Sequence, residues 1–547
     1  MKFKDIQRIL KEHRWLFFAA IFFVLWKFFL IGILWSDRSI PPEPDDSYEY
    51  VAHIASVSHC DSGITCPYPS VSFSDHSGFS YLSYRLLLGG IGRIFDIPPE
   101  TLYHFGFFLG TILLLPVLIM FLRSLTPNKH LVAWSVFFLA LYHGTGETHG
   151  FFWVVPSFFS ALLFFLLFSL VSGKQALSRK FLFYTGTATI AFVFSHPMSV
   201  YITLILPLFA LTFCALSRHI DKMLIQKILI VVSISILASL GQGQYLKQKS
   251  QINYYGINQS MQQTRESIEN IIFPDTAKER TPKAYVLGYS VTRHIDAGLF
   301  RQRLETLRVT YFRYIAPHWL ALLPFLVALW ILWKKQEYHV ISLYVSSLVF
   351  FVVATFFHEF GFRSAIILWP MTFVLFAFAS WHGFSFVLNI QNRILRKTLL
   401  FVGVFGIITF FVANAILGLV FNINANARNH YPLDESFSEY LLKKTSPRDT
   451  INLSPVLTRT SGGSKLYFRN AFVPISKGPK YFALIDPSSK TRKLQEKSSS
   501  LRALARPVTR LFGIPLEDPP PLVSPEIPTG YILDAEFGVI KIYRKIQ

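Results

Sequence analysis

Runs of about twenty apolar residues recur along this chain. Away from water such a run can satisfy every backbone N–H and C=O only as a helix, so it reads as a bilayer crossing. Residues 15–35 form the first of them. Of the 547 residues, 52% are hydrophobic and 55 are Phe, more than a water-soluble chain of this length carries. The fold class is therefore a polytopic α-helical membrane protein. The net charge of +21 fits that class, since Lys and Arg gather in cytoplasmic loops and set orientation. These basic residues are scattered between the apolar runs and form no single face, which excludes nucleic-acid binding.

The clearest basic connector, GKQALSRK (173–180), belongs on the cytoplasmic side. Working back from it, runs 151–172, 131–142 and 102–122 alternate in direction. HGTGETHG (143–150) and the whole of 37–101 then face outside. Runs 181–195, 199–216, 224–240, 314–333, 340–357, 364–381 and 398–421 complete about eleven spans, N-terminus in and C-terminus out. Residues 241–313 form a long outside loop, while Lys334, Lys335 and the 393–397 cluster lie inside. Segment 81–95, with Arg85 and Arg93, is expected as an amphipathic helix along the membrane surface. The first run is too long for a cleaved signal peptide, and Lys27 within it can snorkel or face the bundle interior.

After Phe421 the composition turns polar, which divides the chain into a membrane domain, 1–421, and a small outside α/β domain, 422–547. Phe437, Tyr440 and Leu441 have helical spacing, 450–453 is strand-like, and the alternation over 530–546 predicts a hairpin turning near Glu536–Gly538. No internal repeat is visible, which argues against a transporter of duplicated halves. Cys214 is a packing residue. Cys60 and Cys66 flank DSGIT and can close a small loop in an oxidising compartment, but two thiols leave the pairing open.

Chemistry-bearing residues collect in the outside loops. PPEPDDSYEYVAHI (41–54) places Glu43, Asp45, Asp46 and Glu49 within seven positions. Adjacent carboxylates raise at least one pKa unless a cation compensates, which suits either a base for a hydroxyl or a metal site. A solvated linker is the plainer alternative, against which stands the cost of carboxylates close to lipid. His143, Glu147 and His149 can ligate a metal with those acids, position a sugar hydroxyl, or form an ordinary polar hairpin. FHEFGFRSAIILWP (357–370) sets His358, Glu359 and Arg363 at the outside entrance of a span, where guanidinium and imidazole suit a lipid phosphate or an interfacial anchor. A second His is missing there, so it is no zincin motif. Arg301, Arg303, Arg308 and Arg313 make the end of the long loop basic and amphipathic, fitted to an anionic headgroup or a solvated face. His196 reads as structural.

With these residues placed, the pattern resembles the GT-C superfamily of integral-membrane glycosyltransferases, with an architecture similar to protein mannosyltransferases and lipid-A aminoarabinose transferases. The resemblance is carried by the acidic PDDSYEY after the first span, the surface helix that follows, HGTGETHG, HEFGFR and the outside C-terminal domain. It implies an inverting transfer from a polyprenyl-phosphate sugar to an acceptor hydroxyl at the outer face of the membrane, a bacterial inner membrane, with lipid, polysaccharide or protein as acceptor. Asp45 or Asp46 would be the general base, and Arg363, His358 and Arg313 would stabilise the leaving phosphate. A divalent cation, Mg or Mn, between Asp45 or Asp46 and Glu147 is consistent with some members. Glu49, Glu359, His143 and His149 stand as further substrate or metal candidates. HEFGFR lacks the Lys and second Glu of HKEERF-type motifs, and no WWDYG-like oligosaccharyltransferase motif is present, which leaves acceptor and sugar open. Two rivals remain. A lipid-linked-saccharide flippase would carry charged or broken spans, and a polysaccharide polymerase or ligase would rely on Arg and His without the acid pair.

Overall fold

The computed structural model describes residues 13–35, 50, 51, 54, 57, 82–142, 156–173, 176–196, 199–250, 283–286, 289–292, 307, 322–357, 364–428, 436–446, 449–453, 457, 466, 471–472, 478–485, 527 and 529–546. The helices are α1 (Arg14–Trp35), α2 (Leu82–Phe95), α3 (Pro99–Leu125), α4 (Lys129–Ala140), α5 (Pro156–Ser172), α6 (Arg179–Val193), the single-turn α7 (Ser199–Ile202), α8 (Ile205–Ser217), α9 (Lys222–Ser250), α10 (Leu322–Lys334), α11 (Tyr338–Phe357), α12 (Ala365–Leu388), α13 (Arg393–Arg428) and α14 (Ser436–Lys444). Each apolar run expected to cross falls on one of these, 199–216 on α7 and α8 together. Among the described residues seven helical stretches are long and apolar enough to cross a bilayer, and α4, α5 and α10 are shorter apolar helices. The chain is a multi-pass membrane protein.

Polar residues at short connectors start several of these helices. Asn128 Oδ1 accepts from the His130 and Leu131 N–H groups at 3.0 and 3.3 Å. Ser178 caps α6 through Phe181 N–H at 3.1 Å, Asp221 caps α9 through Leu224 N–H at 3.0 Å, and Asn392 caps α13. Such caps satisfy donors that the first turn leaves open. All four lie in connectors expected on the cytoplasmic side.

The chain divides into two units, one of Met1–Phe29 with Leu109–Gly418, the other of Leu30–Phe108 with Leu419–Gln547. In the first, α12 packs against α4, α5, α10 and α11. Every residue from Ala365 to Leu375 is buried, as expected of a helix apolar all round and enclosed by others. α12 runs antiparallel to α4. Near its start Trp369 and Phe373 meet the Tyr142 ring at 6.4 and 5.7 Å. Near its end Ser380 Oγ accepts from Trp134 Nε1–H at 2.9 Å, and Trp381 stacks on His130. α13 joins through Phe410 and Phe411, both against Phe138. Buried hydroxyls on Ser169, Thr189, Thr203, Ser346, Ser347 and Thr372 donate to the carbonyl four residues back, an internal solution where water is absent. Cys214 on α8 is a half-buried free thiol. In the long loop, β1 (Lys283–Val286) and β2 (Tyr289–Thr292) pair antiparallel.

In the second unit α2 is a helix, as expected. Tyr84, Arg85, Leu88, Gly89 and Gly92 form the buried stripe, while Leu86, Leu87, Ile94 and Phe95 are exposed beside Arg93. Gly89 meets residues 54 and 57 so closely that a Cβ would stand 2.5 Å from Val57 Cβ and 2.8 Å from the Ile54 carbonyl. Only glycine fits that approach.

The rest of this unit contains α14 and a five-stranded sheet, in the order β4 (Ala471–Phe472), β3 (Thr450–Leu453), β5 (Tyr481–Ile485), β7 (Ile540–Lys545), β6 (Tyr531–Phe537). β3 is parallel to β4 and β5, while β7 is antiparallel to β5 and β6. β5 is buried along its whole length. One face packs Phe437 and Leu441 of α14 onto Ile451, Leu453, Ala483, Ile540 and Ile542; the other holds Phe482, Leu484 and Tyr543. The helix, the strand 450–453 and the terminal hairpin all fall where the sequence pattern put them. Gly538, at φ +61°, takes the left-handed position of the hairpin turn.

Candidate active site

Asp45, Asp46 and Glu49, His143, Glu147 and His149, Arg313, and His358, Glu359 and Arg363 all lie outside the described residues, as do Cys60 and Cys66. The helix ends and anchors that flank these segments are described.

Within the first unit, Tyr142 directly precedes His143, and Ser364 directly follows Arg363. The Tyr142 ring against Trp369 and Phe373 puts the last turn of α4 and the first turns of α12 at the same end. The chain thus departs towards His143, Glu147 and His149, and returns from His358, Glu359 and Arg363, at one end of this bundle. Phe22 of α1 stacks on Phe137 at 4.4 Å, so α1 runs alongside α4 in the same direction. One helical turn and a half further on, Lys27 is wholly buried. Its ammonium donates to the Tyr142 carbonyl and lies 5.7 Å from the Phe23 ring. Of the two options that the sequence left for Lys27, the structure takes the bundle interior.

Within the second unit, Tyr50 follows Glu49 immediately and is buried, with Val51, Ile54 and Val57 behind it. Its ring meets Tyr84 at 6.0 Å and Tyr103 at 6.5 Å, and Tyr103 meets Phe107 edge-on. The acidic stretch is therefore followed by a fixed aromatic anchor. Next to Tyr84, Arg85 is 1% exposed. Burial pulls its guanidinium down to about 10, so it keeps its charge at neutral pH. Sequence pattern placed Arg85 at the membrane surface. The signal for its burial was there in Gly89, which continues its stripe and marks the close approach of residues 54 and 57.

Among the described residues no group of three or more His, Cys, Asp or Glu is arranged to hold a metal. The proposed ligands Asp45 and Glu147 fall outside that set. In the C-terminal sheet the charged pairs brace the fold. Tyr440 Oη donates to Asp534 at 2.6 Å, and Arg544 lies 3.2 Å from the same carboxylate. Burial, then the Asp534 bond, push the Tyr440 phenol up to about 12, so this pin of α14 on β6 holds across the physiological range.

This architecture is shared with solved structures. The archaeal oligosaccharyltransferase AglB from Archaeoglobus fulgidus, in complex with an inhibitory peptide and a dolichol-phosphate, superposes with a TM-score of 0.50 at 13% identity over 85% of this chain and 64% of its own. The A. fulgidus enzyme tethered to an acceptor peptide containing the NVT sequon gives 0.52 at 12% identity, over 92% and 69%. Its apo form gives 0.51 at 12%, over 86% and 69%. The fold is shared with these oligosaccharyltransferase structures, and the chain spans about two thirds of their length. No protein-family model matches the sequence, and no curated protein matches it.

Proposed function

We propose that the protein is an inverting GT-C glycosyltransferase that moves a sugar from a polyprenyl-phosphate donor to an acceptor hydroxyl at the outer face of the membrane. The observation that carries this reading is the shared fold with oligosaccharyltransferase over 85–92% of the chain. A dolichol-phosphate is bound in one of those structures, which supports a lipid-linked donor here. Asp45 or Asp46 acts as general base, taking the acceptor proton as its oxygen attacks the anomeric carbon. Arg363, His358 and Arg313 stabilise the phosphate that leaves. Glu49, Glu359, His143 and His149 contact substrate, and Asp45 with Glu147 holds a divalent cation where the reaction uses one. Tyr50, locked against Tyr84 and Tyr103, gives the acidic stretch a rigid downstream anchor, as positioned catalysis requires.

A second reading, transfer to a peptide amide, is favoured by the neighbour that carries an acceptor peptide. The sequence lacks a WWDYG-like motif, so the hydroxyl acceptor stays first.

The test is sugar transfer by full-length Asp45→Asn and Asp46→Asn variants, with insertion and expression checked. One variant inserted but slowed by on the order of a hundredfold to ten-thousandfold, the loss expected of a general base, supports the mechanism. Full activity in both makes the acid pair a linker. A wild-type protein that transfers only to peptide moves the second reading to the front.

A further inference from the structure

We propose that the helical bundle binds an anionic phospholipid along the first half of α13, its phosphate held by Arg393, Arg396 and Lys397 and an acyl chain running beside the helix towards Gly403. Residues three and four apart on a helix share a face, so these cations point the same way. Among the described residues none of the three is paired with a carboxylate. Glu337, the acid that reaches the same end of α12, is bound to His382 at 2.8 Å. Cations that only set orientation have to stand on the correct side of the membrane, in any arrangement. A shared face, continuous with apolar surface, is what a phosphate headgroup with its chains requires.

The face that the cations define continues along the helix. Leu400, Gly403 and Ile407 follow Arg396 at helical spacing, and all four are half-buried. Further on, the helix is anchored to the bundle: Phe410 packs on Phe138, Phe373 and Phe376, and Phe411 on Phe137 and Phe138. Before those anchors the stripe approaches α12 at Gly403, where a Cβ would stand 3.4 Å from the Phe384 ring. No residue from Arg393 to Ile416 is fully buried. The stripe turned towards the bundle therefore stays half open while being apolar. In a bilayer such a gap fills with lipid, because an empty one forfeits the dispersion contacts of both walls. Any chain can fill it; the three cations select the lipid with a negative headgroup. A second copy of the chain is the poorer occupant, since close helix pairing in lipid favours small residues, and the outer face here carries Phe401 and Phe405, 73% and 62% exposed.

The experiment titrates the full-length protein in detergent with dioleoyl-phosphatidylglycerol or, as the neutral probe, dioleoyl-phosphatidylcholine, and reads bound lipid by native mass spectrometry. Wild type is expected to retain phosphatidylglycerol in preference. The double variant Arg396→Gln, Lys397→Gln should lose on the order of tenfold or more of that preference, the scale of two cations at a membrane surface. The charge-matched control Lys334→Gln, Lys335→Gln, exposed on the connector that carries Glu337, should keep it. Equal retention of the two lipids by wild type overturns the proposal. So does a loss shared by both double variants, or an unchanged preference in Arg396→Gln, Lys397→Gln. Photoactivatable analogues of the two lipids, cross-linked to wild type in nanodiscs, test the place without any substitution. The phosphatidylglycerol analogue should label residues 393–407 several-fold more than the phosphatidylcholine analogue, and equal labelling there strikes the site. A native dimer that carries no phospholipid makes a second copy the occupant and strikes it too. None of these readouts involves sugar transfer, so this site and the proposed function fail separately.

Discussion

The helical bundle and the C-terminal sheet treat exposed surface in opposite ways. Over Arg393–Ile416, α13 buries no residue of its apolar window and exposes Phe401 and Phe405 at 73% and 62%. In the sheet, apolar residues gather around β5 and α14, while Glu536, Lys541 and Arg544 lie towards solvent in ion pairs. Both regions are apolar inside. α13 is apolar along its exposed window, whereas the sheet sets its exposed Ile532 and Leu533 among charged residues, and that difference points to the solvent: lipid for α13, water for the sheet. It also changes what holds each region together. In water, burying apolar area drives packing. In lipid that driving force is absent, and close packing with hydrogen bonds between helices has to serve.

The strongest way to break this comparison lies in the sheet. Phe437 is fully buried between α14 and the strands, so Phe437→Ala should cost about 3–5 kcal/mol. Hydrogen exchange of the β5 amides in the full-length protein would show it. A cost below about 1 kcal/mol would mean that the sheet is not stabilised by its apolar core.

Charge on the two exposed surfaces gives the next largest effect. Phe405→Lys should oppose insertion by about 2.5–3.5 kcal/mol if α13 crosses the bilayer. Ile532→Lys, on the exposed edge strand β6, should stay within about 0.5 kcal/mol. Equal tolerance at both positions, measured as the inserted fraction and the unfolding midpoint, would remove the contrast.

The contrast was largely legible in the sequence, because length of an apolar run and strand alternation are local signals. The helices that carry the expected spans, the helix around Phe437 and the hairpin turning at Gly538 all follow from neighbours a few residues apart. Arg85 and Lys27 were harder. Their burial depends on distant partners: the close approach of Gly89 to Val57, and the Tyr142 carbonyl. Composition shows that a charge stands in an apolar helix, and not what it faces. The acidic, His-Glu and Arg segments were legible as clusters, and the described structure adds the fixed points beside them, Tyr50, Tyr142 and Ser364.

Hydrogen bonding between helices sharpens the lipid side of the comparison at a smaller scale. Thr212 Oγ1 on α8 lies 2.9 Å from Ser346 Oγ on α11, while Ser346 also donates to the Ser342 carbonyl. Thr212→Val keeps the shape and removes the bond between the helices, and Ser346 retains a partner. The expected loss is about 0.6 kcal/mol, seen as a small drop in unfolding midpoint in detergent. A loss of several kcal/mol would place hydrogen bonds, not packing, first in this bundle.

The smallest effect belongs to a charged pair on the watery side. Partial burial pushes the Asp449 carboxyl up, but the Ser446 N–H and the Lys480 ammonium outweigh it and hold it below its ordinary value. The Ser446 N–H lies at 2.8 Å and Lys480 Nζ at 3.0 Å. A carboxyl so depressed contributes stability that is fully present above its unfolded value, about 3.9, and is lost as pH falls through the folded value. With Lys480 40% exposed, screening limits that contribution to a few tenths of a kcal/mol. Unfolding of the sheet should therefore grow easier on acidification below about pH 4. Asp449→Asn should flatten that part of the profile and leave the neutral-pH stability almost unchanged. An Asn variant with the wild-type acid slope would assign the slope to other carboxylates.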